Sequence, residues 1–380
     1  MTLARLRHAP WEPAIFPLAD DAGALLVDGR ILRELQVEAA GGAVIDAPAD
    51  AALPAGVDVA CALDAVFSPE TVAALGQEAR ARGVLVQAAV RRGTPLFRAA
   101  TRLLDVPGDL RVPLWAGPLA GKIASTTGDA ADAFPDATPV AVCDEDAFVA
   151  ARVPPYGAPP HTIDVPAVHK LGGRLLHWLH VLDLALAALH TRRARLGLLR
   201  GKNKLGDDVD IHPTATVIGS IIESGARLEP HASVIDSFVG KDALVADHSV
   251  IHTSVIGDRC RTLVDTSLRR VVAMPDSTLS NLGISDLVIG RNVFLTMSVG
   301  TFGPLPGHNA FVDGKDTGRA FLGGAIGARC ILGSRALLGA GTALPPGLLI
   351  VARPGESVAK LDDEGLARAG SMRGRADENA

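Results

Sequence analysis

Cysteine is sparse in this chain, and its placement suggests neither a disulfide framework nor a cysteine-bound metal. Its four cysteines, Cys61, Cys143, Cys260 and Cys330, are scattered through 380 residues with no CxxC pair. There is no basic stripe either, and a net charge of -5 gives no reason to expect nucleic acid as a partner. The first residues, MTLARLRHAPWEP, reach Pro10 without an apolar run, so they predict no secretory signal and a cytoplasmic protein. The longest apolar stretch, Leu175 to Leu189, falls short of the roughly 20 residues a spanning helix needs and is interrupted by His177, His180 and Asp183. It predicts a buried helix joining two domains, with no membrane span. Arg192, Arg193 and Arg195 follow at the end where cations suit the helix dipole.

What the chain does have is a repeat. From Ile211 onward, aliphatic residues fall at Ile211, Val217, Ile222, Leu228, Val234, Val239, Val245, Ile251 and Ile256, so three anchors close after 17 residues. Two places before most anchors sits a small residue: Ala215, Ser220, Ala226, Ala232, Ser237, Ala243, Ser249, Ser254. This is the pattern of a hexapeptide β-helix, in which three short strands make one triangular coil and each coil buries its apolar edge on the next. The pattern blurs between Thr262 and Leu287. It returns at Ile326, Leu332, Leu338, Leu344 and Ile350.

Ahead of the repeat, strand-like and helical runs alternate, which predicts an α/β layer with a mostly parallel sheet. Candidate strands are Ala24–Val27, Val57–Ala62, Gly83–Val90, Val112–Trp115 and Pro139–Cys143. A helix is predicted to open at Ser68 as N-cap, with Pro69 at the first helical position, and to stop at Gly83. The expected organisation is an α/β domain over 1–170, a connecting helix within 171–205, a β-helix over 206–352 and a flexible charged tail over 353–380.

Three segments of the first domain resemble the sugar-1-phosphate nucleotidyltransferases: PLADDAGALLVDGRILRELQVEA (17–39), VACALDAVFSPETVAALGQEARARGVLVQAAV (59–90) and TIDVPAVHKLGGRLLHWL (162–179). Followed by a hexapeptide repeat, the order of parts is similar to a GlmU-like arrangement. The resemblance implies that Asp64 and Asp164 stand where that family holds Mg²⁺, which would offset charge as a sugar phosphate attacks a nucleotide. The family's glycine-rich loop is missing, since residues 1–16 contain no glycine, and the lysine that follows it is replaced by Gly23-Ala24. That departure implies a reduced relative.

The 17-residue coil stacks Thr214, His231, His248 and Asp265 in one outward column, with coils about 4.8 Å apart. The repeat resembles hexapeptide acyltransferases, in which one histidine serves as general base and CoA is the donor. The resemblance implies His231, His248 and Asp265 as the catalytic group and acetyl-CoA or another acyl-CoA as cosubstrate. The bland reading is a surface corner that tolerates histidine. His248 and His252 do not have the spacing of a histidine zinc site.

The insertion at 303–320 breaks the repeat and offers His308, Asn309, Lys315 and Arg319 to a sugar phosphate or NDP-sugar. Three readings stay open: a nucleotidyltransferase-like transferase of sugar-nucleotide metabolism, an acyl- or acetyltransferase acting on a sugar, and a non-catalytic scaffold. The β-helix resemblance implies a homo-oligomer, with a trimer favoured.

Overall fold

The computed structural model describes residues 2–7, 15, 18, 24–92, 94, 96, 101–127, 129–143, 170–279, 283–304 and 307–351, and the backbone alone of 148–153 and 161–166. The chain divides into two compact units, Met1–Ala14 with Asp21–Thr191, and Ile15–Asp20 with Arg192–Ala380.

In the first unit, strands β1 (Thr2–Arg7), β2 (Ala43–Pro48), β3 (Val59–Cys61), β5 (Val86–Val90), β6 (Leu110–Ala116) and β7 (Thr138–Ala141) form one sheet, ordered β2-β1-β3-β6-β5-β7. Three of its five pairings are parallel, in line with the expected mostly parallel sheet, but β6 runs antiparallel to both β3 and β5 and makes the sheet mixed. The short strand β4 (Ala65–Phe67) lies off this sheet and pairs with Gly172–Arg174. Val86–Val90 is buried at every residue, as a strand covered on both faces must be.

Two helices follow from local chemistry. Helix α1 (Leu32–Ala40) ends at Gly41, and α2 (Pro69–Arg82) starts where expected: the Ser68 hydroxyl accepts from the Thr71 N–H, and Gly83 closes the helix at φ 65°. Ala24–Val27, expected as a strand, forms turns with an isolated bridge from Leu26 to Ile31. The apolar stretch becomes helix α3 (Trp178–Arg195). Among the described residues no helix is long and apolar enough to cross a membrane.

At the start of α3, His180 is completely buried. Its Nδ1 accepts from the Leu176 N–H at 3.4 Å, and its Nε2 lies 2.9 Å from the Arg102 carbonyl, which fixes the proton on Nε2. Burial pushes its pKa down to about 4. An unfolded histidine titrates near 6.5, so the unfolded chain takes up this proton first as pH falls. Stability from His180 is therefore complete above about pH 6.5 and drains away towards pH 4, by on the order of 3 kcal/mol. Urea midpoints of the full chain from pH 7.5 to 4.5 should show this loss, and His180→Gln should flatten it.

The second unit is a three-sided parallel β-helix. Strands pair coil on coil, as in Thr216–Ile218 with Ser233–Ile235 and then Val250–His252. The anchors Ile222, Leu228, Val234, Val239, Val245, Ile251 and Ile256 belong to one apolar core. Each buried aliphatic of this kind contributes about 1.5–3 kcal/mol. The inward serines are satisfied along the axis: the Ser237 N–H donates to Ser220 Oγ at 3.1 Å, Ser254 N–H to Ser237 Oγ at 3.1 Å, and Val271 N–H to Ser254 Oγ at 3.0 Å.

The blurred stretch has a definite cause. Val250 pairs with Ser267 seventeen residues on, but Ser267 pairs with Gly283 after only sixteen. One residue is dropped, and Leu268, Ile284 and Leu287 are buried in the same core. A later coil gains a residue, since Gly324 pairs with Thr342. Gly324 is required there, because a Cβ would collide with the Thr342 carbonyl.

Candidate active site

The corners of the coil decide where chemistry can sit. Each turn from one face to the next needs a residue at positive φ, a region that His, Asp, Asn and Gly occupy most readily. His231 (φ 59°), His248 (57°) and Asp265 (60°) make one corner; Asp236, Thr253, Arg270 and Asp286 make the next. The third carries Asp208, Gly225, Asp242, Arg259 and Asp276.

The first of these is a histidine corner. The imidazoles of His231 and His248 stack with centroids 4.9 Å apart and planes 19° from parallel, the spacing of adjacent coils. The corner backbone is tied together: the His231 N–H donates to Thr214 Oγ1 at 2.9 Å, His248 N–H to the Pro230 carbonyl at 3.0 Å, and Asp265 N–H to the Asp247 carbonyl at 3.0 Å. Both rings and Asp265 are exposed. The structure thus brings together the three residues expected from the 17-residue register, with His248 in the middle. Among the described residues no hydrogen bond joins His248 to Asp265, so the carboxylate is a near neighbour rather than a clamp.

The insertion springs from a different corner. It leaves after Gly300–Phe302 and the chain re-enters at Gly324–Ile326, so it takes the place of the next corner, the one carrying Asp286. Its core is a hairpin of Phe311–Val312 and Lys315–Asp316. Asn309 Nδ2 donates to Asp316 Oδ2 at 3.1 Å within the loop, while Lys315 lies on the hairpin strand and His308 and Arg319 flank the hairpin.

In the first unit, Asp64 faces a cation. Arg174, on the strand Gly172–Arg174 that pairs with β4, donates from Nε to Asp64 Oδ2 at 2.9 Å and from Nη1 to Asp129 Oδ1 at 2.6 Å. Arg174 and Asp64 are buried, and burial lifts the Asp64 carboxyl above the usual carboxylate range while Arg174 pulls it back. Arg174 and Asp129 border a pocket of about 500 Å³ with Arg111, Asp132 and Leu176. A guanidinium occupies the coordinating side of Asp64, and no group of three metal-ligating side chains exists among the described residues. The arrangement does not fit Mg²⁺. The strand His161–Pro166 carries Asp164 opposite Ala150, but the Asp164 side chain lies outside the described residues. Sequence reading missed Arg174 and Asp129, for which no local motif exists.

No protein-family model matches the chain, and no curated protein does either. Solved structures with some likeness include a candidate acetyltransferase of Bacillus cereus, 16% identical over 47% of this chain and 94% of that one, TM-score 0.27. Another is the H141A mutant of GDP-perosamine N-acetyltransferase from Caulobacter crescentus in complex with CoA and GDP-perosamine, 19% identical over 46% and 65%, TM-score 0.17. A third is the acetyltransferase domain of PglB from Neisseria gonorrhoeae, 12% identical over 45% and 64%, TM-score 0.16. The chain thus spans just under two thirds of the last two.

Proposed function

We propose that this chain is an acyltransferase whose chemistry lies on the histidine corner of the β-helix. The observation that carries this reading is the exposed pair of stacked imidazoles, His231 and His248, with Asp265 on the next coil. His248 takes the proton of an acceptor hydroxyl or amine as that atom attacks the thioester carbonyl of an acyl-CoA. A C–O or C–N bond forms, the C–S bond breaks, and the imidazolium returns its proton to the departing thiolate. Asp265 lies on the coil after His248, and His231 stacks against the ring from the coil before it.

In this reading the acceptor is a sugar or NDP-sugar, the class of compound held in the Caulobacter structure. Taken with the handedness expected of hexapeptide repeats, the second unit is a left-handed helix that assembles as a trimer. The nucleotidyltransferase reading is weaker, because Arg174 stands at the carboxylate where a metal would be needed. The test is thiol release from acetyl-CoA with a panel of hexosamines and NDP-amino sugars as acceptors. If no acceptor on a broad panel is acylated by a folded chain, the reading fails and a scaffold role replaces it.

A further inference from the structure

The corner beside the histidines carries a second cluster that the acyl-transfer chemistry does not use. Arg193, in the last turn of α3, donates from Nε to the Gly219 carbonyl at 2.6 Å and pairs with Asp236. Two coils on, Arg270 forms a buried bidentate pair with Asp286, Nε to Oδ1 at 2.7 Å. Each of these carboxylates is therefore committed to one arginine. Arg269 is left over: among the described residues no ion pair or hydrogen bond engages its half-buried guanidinium.

The register surrounds Arg269 with donors. His252 is its partner on the preceding coil and Ser285 on the following one, while Ser267 lies two residues earlier on the same strand face. His252 Nδ1 lies 3.0 Å from Thr253 Oγ1. With the threonine hydroxyl donating, the ring proton sits on Nε2, free for a ligand. Burial first, then Arg269, Arg270 and Arg193, hold the imidazole below its ordinary pKa, against the opposing pull of Asp236. It is thus a neutral donor rather than a second cation. Beyond Ser285, whose N–H donates to Thr301 Oγ1 at 3.2 Å, Phe302 is 41% exposed. The polar insertion begins directly after it.

We propose that Arg269, His252, Ser267 and Ser285 form a binding site for a phosphoryl group of a small phosphorylated ligand. One uncompensated cation with a planar fork, one neutral N–H and two hydroxyls match a tetrahedral multi-oxygen anion better than a planar carboxylate, which the fork alone would satisfy. The site is built without the histidine corner, so it stands whether or not acyl transfer does.

The test is calorimetric titration of the full chain with pyrophosphate, inorganic phosphate and ADP, in magnesium-free buffer with no acyl donor. Wild type should bind pyrophosphate, and Arg269→Gln should weaken it by about 10- to 100-fold, the cost of one charge-assisted contact. Arg269 has no structural partner, so the variant should melt where wild type does. His248→Asn should bind pyrophosphate unchanged, which separates this site from the acyl-transfer reading. ADP binding tighter than pyrophosphate would mark a nucleotide as the source of the phosphoryl group, and the reverse order a free anion. A wild type that binds none of the three, or an Arg269→Gln that binds as wild type does, overturns the site.

Discussion

Replacing His248 with asparagine should cut the rate of acyl transfer by about 100- to 10,000-fold, the usual worth of a positioned general base. Asparagine is the informative substitution because His248 sits at φ 57°, where an ordinary side chain would strain the turn. Asn accepts that conformation, so the corner and its coil stay intact and only the proton acceptor is lost. His231→Asn should cost less, since His231 is one coil further from Asp265. Asp265→Asn should fall between them: it keeps the turn at φ 60° but removes the negative charge one coil from His248. The measurement is initial thiol release at saturating acetyl-CoA, with melting temperatures to show that each variant is folded. Equal activity in wild type and His248→Asn would remove the histidine corner from the chemistry.

The β-helix was legible because its period survives in one dimension: an aliphatic every fifth or sixth residue places Val234, Ile251 and Leu268 on the same inward column. The same arithmetic put His231 beneath His248. It lost the thread where the period shortened, at the sixteen-residue coil after Ser267, since a skipped residue leaves no mark except a phase error. Strand direction was not legible either. Leu110–Ala116 reads as an apolar run whichever way it points, and only its antiparallel pairing with Val59–Cys61 reveals the mixed sheet. Thr2–Arg7, Ala43–Pro48 and α1 were missed because they are short and their apolar residues match no single period over enough positions. The polar clusters were hidden most completely. Arg193 meets Asp236 across 43 residues and Arg174 meets Asp64 across 110, distances at which only the folded chain can say which charges neutralise each other.

That last pair supports the largest stability effect. Arg174→Met should destabilise the first unit by about 3–5 kcal/mol at neutral pH, because it strands a buried carboxylate without its cation. Asp64 is 4% exposed and Arg174 6%, so water cannot take the place of either partner. Asp64→Asn should cost less: Arg174 keeps Asp129, whose side chain is half exposed and draws on solvent. The double change Asp64→Leu with Arg174→Met should recover most of the loss, as apolar replacements of buried ion pairs generally do. The pH dependence distinguishes a stranded charge from a simple packing defect. Burial already lifts the Asp64 carboxyl and Arg174 opposes this, so removing the arginine raises it further. An acid whose pKa is raised by folding costs nothing while it is protonated in both states; its penalty grows as pH rises above the unfolded value and levels off only past the folded one. The gap between Arg174→Met and wild type in urea midpoint should therefore widen from pH 5 to pH 8. Taking the difference cancels the acid sensitivity of His180, which both chains share. A gap that stays constant across that range would mean that Arg174 contributes shape and not charge.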